Sequence, residues 1–131
     1  MNTNELPDVV EHYVAELSGN RADDAWHSLV ELGAAALPYV VQAFETKGDR
    51  RIAVPLVRVV NEYRTKDGLP FLARVLRGAT APDLWKTALD GFVAIGDDAA
   101  IQSLHGAWAL VNAEKQTWIR EAIDQIRASA G

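Results

Sequence analysis

From residue 5 to residue 128, apolar side chains return at every third or fourth position, and no stretch alternates apolar with polar for the length of a strand. The first spacing lays apolar groups along one stripe of an α-helix; the second is what a half-buried strand requires. The chain is therefore expected to be all-α, and its stripes predict eight helices. The first covers about 5–17, with Leu6, Val9, Val10, Tyr13, Val14 and Leu17 on one stripe and Asn4 as its cap. The second, about 22–32, carries Ala25, Trp26, Leu29 and Leu32 and stops at Gly33; the third, about 35–46, presents Leu37, Val40 and Phe44. The fourth, about 49–64, holds Ile52, Leu56, Val60 and Tyr63, and Pro55 is expected to bend it because proline removes a backbone donor. Helices over about 67–77, 83–95, 98–111 and 114–128 follow. Their stripes include Leu72 and Leu76, then Trp85, Leu89 and Phe92, then Leu104, Trp108 and Val111, then Trp118, Ile119 and Ile123. Gly96 ends the sixth, and Asp97 or Asp98 caps the seventh.

Loops this short force consecutive helices to run antiparallel, giving a series of helical hairpins. The hairpins also repeat. Leu32-Gly33 followed by Pro38-Tyr39-Val40 aligns with Tyr63 and Thr65 followed by Pro70-Phe71-Leu72 at an offset of about 32 residues, and with Ile95-Gly96 followed by Ile101-Gln102-Ser103 about 31 further on. Core positions shift in step: Leu29, Val60 and Phe92, and again Ala25, Leu56 and Ala88. A period of roughly 30 to 45 residues with two helices per unit marks a stacked helical repeat.

The string from Leu29 to Val40, Leu-x-x-Leu-Gly-x-x-Ala-Leu-Pro-x-Val, resembles the helix-turn-helix junction of HEAT-like repeats. Its echo from Phe92 to Ile101 is similar to the Ile-Gly-Asp-x-x-Ala junction common in bacterial members, and Pro55 matches the bent first helix of many such repeats. The resemblance covers residues 21–128. The middle repeat departs from it, with Thr65-Lys66-Asp67 and no glycine at the junction. What the resemblance implies is a single domain over 1–131, a right-handed α-solenoid of about four hairpins. Its repeats would lie near 21–46, 49–77, 83–111 and 114–128, after an N-terminal helix at 5–17. It also implies an inner layer of second helices, about 35–46, 67–77 and 98–111, open to a protein partner. Tyr39, Gln42, Glu45, Arg74, Arg77, Gln102, His105 and Trp108 are the candidate partner-binding residues on that layer.

The residue inventory argues against chemistry. His12, His27 and His105 lie on three different helices with no ligand at metal-binding spacing, so no metal is expected. Asp23-Asp24 and Asp97-Asp98 fall at helix starts, where acids complement free N–H groups and the dipole. No phosphate loop, nucleophile elbow or Ser-His-Asp pattern occurs, so neither enzyme nor cofactor is expected. Of the four tryptophans, Trp85 and Trp118 read as equivalent core positions, while Trp26 and Trp108 are candidates for partial exposure.

Net charge is −5, which argues against a nucleic-acid binder, whose affinity comes mainly from neutralising phosphates. The charge is unevenly spread: residues 1–46 carry −7, 47–77 carry +5 and 78–131 carry −3. The basic segment (Arg50, Arg51, Arg58, Arg64, Lys66, Arg74, Arg77) is either a solvated face, a surface for an acidic protein, or a strip for nucleic acid. The leading expectation is a non-catalytic interaction module: an adaptor, a complex subunit, or an inhibitor of the immunity-protein kind. The alternatives are nucleic-acid binding through residues 47–77, as in HEAT-like alkylpurine DNA glycosylases, or a chaperone role resembling the HEAT-like subunits of phycobilin lyases. The terminal helices are a further candidate surface for self-association. The absence of cysteine, of a basic-apolar leader and of a long apolar run points to a soluble, cytoplasmic protein outside the membrane.

Overall fold

A computed structural model of the chain describes residues 5–130. Among these there is no strand. Eight α-helices follow one another: α1 (Leu6–Glu16), α2 (Ala22–Leu32), α3 (Leu37–Lys47), α4 (Arg50–Tyr63), α5 (Leu69–Gly78), α6 (Pro82–Ile95), α7 (Asp98–Trp108) and α8 (Ala113–Ala130). The expected cap Asn4 lies outside the described residues. At α2 the acids Asp23 and Asp24 sit in the first turn without a side-chain cap bond, whereas Asp97 caps α7 by accepting the Ala100 N–H at 2.9 Å. α4 continues through Pro55. α7 stops at Trp108, three residues short of expectation, and Leu110 just beyond it is 61% exposed.

Contacts divide the chain into two compact units, residues up to Tyr63 and residues from Arg64. In the first, α1 packs on α2 and α3, and α4 packs on both α2 and α3. In the second, α6 packs on α5, α7 and α8, while α7 packs on α5 and α8. Each unit is thus two hairpins laid side by side, odd-numbered helices in one layer and even-numbered helices in the other. The division falls between α4 and α5, the two helices that the repeat at 49–77 would join. Both sets of positions expected to be equivalent are buried: Leu29, Val60 and Phe92 at 0–2% exposure, and Ala25, Leu56 and Ala88 at 0%. Trp85 is buried too, but Trp118 is 39% exposed and is not a core residue. Trp118 lies edge-on to Trp85 at 6.1 Å, with the Lys86 ammonium over its ring at 4.2 Å.

The junctions before α3 and α5 are built alike. Each has a residue at positive φ, then a 3-10 turn (Ala34–Ala36, Lys66–Gly68), then Leu-Pro opening the helix. Gly33 takes the positive φ in the first (80°), as Gly96 does before α7 (65°). At the junction lacking glycine the positive φ (48°) falls on Arg64, the first residue after α4, while Thr65, in extended conformation, stands immediately before the 3-10 turn as Gly33 does. A side chain at that positive φ costs about 1–2 kcal/mol, which the flanking turn must hold in place. Thr65 contributes by accepting the Asp67 N–H.

In the first unit Tyr63, the last residue of α4, donates its hydroxyl to the Leu29 carbonyl of α2 at 2.6 Å. That carbonyl needs a donor, because the Gly33 N–H has turned to Val30 as α2 ends. Burial pushes the Tyr63 phenol well above its ordinary range. A phenol that ionises less readily folded than unfolded adds stability that is complete below about pH 10 and is lost as pH rises beyond it. Tyr63→Phe is expected to cost about 1 kcal/mol at neutral pH and to remove this part of the alkaline loss, as read by urea unfolding at a series of pH values.

Candidate interaction surfaces

The expected partner-binding residues separate into three places. Tyr39 and Gln42 of α3 line a groove between α1 and α3 in the first unit, opposite Pro7, Val10 and Glu11. Tyr39 is half-buried there and Gln42 exposed; Glu45, on the same helix, is exposed but does not line it. Arg74 and Arg77 of α5 rim a second groove, between α5 and α7. Gln102, His105 and Trp108 lie on the other side of α7 from that groove, along a cleft between α7 and α8. Within the second unit, the α5 pair and the α7 set do not converge.

The α5–α7 groove has an unusual lining. Ala73 and Pro70 of α5 face Ser103, Gly106 and Ala107 of α7, so no large side chain fills it. Gly106 is exposed, and a Cβ built on it would meet nothing within 4 Å. Packing within the chain therefore does not demand the glycine, which costs about 1 kcal/mol relative to alanine inside a helix. Arg74 and Arg77 are exposed beside this floor; Arg77 returns its Nε–H to the Ala73 carbonyl at 3.4 Å, and Arg74 stands 6.0 Å from the Phe71 ring. Sequence reading found the arginines but missed Ser103, Gly106 and Ala107. The signal was present in the run of small residues on α7, which periodicity of apolar groups does not register.

The remaining members of the basic segment are largely engaged locally. Arg51 forks onto Asp49 at 3.1 and 3.3 Å, and its own N–H bonds the same carboxylate. The side-chain bonds to Arg51, then that backbone N–H, hold the Asp49 carboxyl below the usual range. Arg58 stacks 5.3 Å from the Trp26 ring, which is itself half-buried. Lys66 approaches Asp97 at 3.7 Å. Arg50, Arg51 and Arg58 belong to the first unit and Arg64, Lys66, Arg74 and Arg77 to the second. His12 is exposed beside Glu16 at 3.7 Å, and His27 meets Trp26 edge-on. Among the described residues no three His, Asp or Glu side chains converge as a metal site would require, and no helix is long and apolar enough to cross a membrane.

Compared with protein families, with curated proteins and with solved structures, the chain matches none significantly.

Proposed function

We propose that the chain is a non-catalytic, HEAT-like protein-binding module whose principal contact is the α5–α7 groove, with Arg74 and Arg77 selecting an acidic segment of the partner. The observation that carries this reading is the pairing of a floor of small side chains with two exposed guanidinium groups. Ser103, Gly106 and Ala107 let another backbone approach closely, and arginine forks bind carboxylates bidentately. The α1–α3 groove, with Tyr39 and Gln42, is a second contact of the same kind. A cytoplasmic location fits this role.

The test is affinity capture from native lysate with the wild-type chain and with Arg74→Glu/Arg77→Glu, after circular dichroism has established that both are equally helical. Reversing two interfacial charges should weaken capture of the partner about a hundredfold or more. Capture that is indifferent to the double change would remove the site assignment. A shift of DNA or RNA by the wild-type chain at near-physiological salt would favour the nucleic-acid alternative instead.

A further inference from the structure

Gly106 weakens the helix that contains it without serving the packing of its own chain. It lies inside α7, exposed on the floor of the α5–α7 groove, and a Cβ there would meet nothing within 4 Å. Its φ is not in the left-handed region, so no turn calls for glycine either. Alanine would lose less conformational freedom on folding and strengthen the helix. The place where the missing methyl group has an effect is therefore outside the chain, in the segment that lies against the groove.

Two physical constraints define that segment. The first is its backbone. The main-chain groups of α5 and α7 bond within their own helices, and no strand among the described residues offers an edge. An extended segment pressed into the groove would leave N–H and C=O groups buried without partners, whereas a helix satisfies its own. The second constraint is shape and charge. Ser103, Gly106 and Ala107 stand at i, i+3 and i+4 on one face of α7, with Ala73 of α5 opposite. Side chains this small bring a third helix to the near end of the usual interaxial range of about 8–10 Å, provided that it too is small at the crossing point. Along the α5 rim, Arg74 and Arg77 are exposed and three residues apart. A helix lying beside α5 meets both with carboxylates three or four residues apart on its own face.

We infer that the segment held in the α5–α7 groove is an α-helix, small-sided where it crosses Gly106 and carrying paired carboxylates for Arg74 and Arg77. This rests on the function proposed above and adds the conformation of the partner and the role of Gly106, which sets how closely the helix approaches.

The probe is a fluorescein-labelled peptide of about 20 residues of alanine and glutamate, its glutamates three and four apart on one face, long enough to be helical in water. Titrated with the full chain at near-physiological salt, its anisotropy should rise to saturation. Peptides with lysine for glutamate, with leucine for the alanines beside the glutamates, or with a central proline should each bind at least tenfold more weakly. Gly106→Ala should raise the thermal midpoint by about 5 °C and yet weaken binding of the acidic peptide about tenfold. Arg74→Glu/Arg77→Glu should weaken it about a hundredfold. Binding that depends on the arginines but is unchanged in Gly106→Ala overturns the inference and leaves the proposed function standing. Binding indifferent to both changes overturns the two together. Equal binding of the proline peptide overturns the inference by making the occupant extended. A lower midpoint in Gly106→Ala does so by showing that the chain's own packing needs the glycine, and so does an acidic peptide that the wild-type chain does not bind.

Discussion

Replacing Lys115 by methionine should destabilise the second unit by about 3 kcal/mol, lowering its thermal midpoint by about 15 °C. Lys115 is 7% exposed, the one buried charged side chain among the described residues. Its ammonium donates to the Leu76 and Ala79 carbonyls, each at 2.7 Å, and to that of Arg77 at 3.4 Å. These are carbonyls at and just beyond the end of α5, where the helix itself supplies no donors. Three directed bonds suit an ammonium with its three protons, and the Trp85 ring 5.8 Å away adds a cation–π contact. The lysine is held in the first turn of α8 by its own N–H to the Asn112 side chain at 2.9 Å. A cation there opposes the dipole of α8, and burial lowers its pKa, so the position is costly and is tolerated because the carbonyls of α5 need it. Methionine keeps the stem and removes every donor. Chemical denaturation should register the loss as a lower midpoint with an unchanged slope; a loss below 1 kcal/mol would mean that water serves the three carbonyls equally well.

Phe92→Ala should cost about 4 kcal/mol, the other large effect expected. Phe92 is fully buried on α6, the helix that packs on α5, α7 and α8, and it is the largest of the side chains excluded from solvent. Truncation removes the transfer free energy of a benzyl group and leaves a cavity that three flanking helices cannot close without moving their backbones. Phe92→Leu should cost nearer 1.5 kcal/mol, since leucine, the residue at the equivalent position 29, retains much of the volume. Equal losses for the two variants, measured by urea unfolding, would indicate that α6 relaxes into the space and that the core is less closely packed than its burial implies.

Much of the fold was legible from apolar spacing and turn residues alone. Leu29, Val60 and Phe92 were expected to be equivalent and inward from their offset, because helix periodicity ties burial to position and stacked hairpins impose the same burial on each repeat. Gly33, Gly96 and Asp97 marked their junctions because positive φ and an unpaired N–H admit few residue types. Arg64 did not mark its own, since nothing in an arginine announces a left-handed backbone; the surrounding turn imposes it. The candidate binding residues were legible one at a time but not as a site. Tyr39, Arg74 and His105 were each placed on an odd-numbered helix by period, yet period leaves open which neighbour a given side of that helix faces.

That distinction is general to this chain. The amino-acid sequence by itself determined that eight helices form, where most begin and end, and which stripe of each is apolar, because these depend on interactions within a few residues. Only the tertiary structure decided that Lys115 serves α5, that Trp118 lies exposed, and that α5 and α7 leave a groove floored by small residues. Each of those depends on which helices become neighbours, a choice settled by packing between segments tens of residues apart.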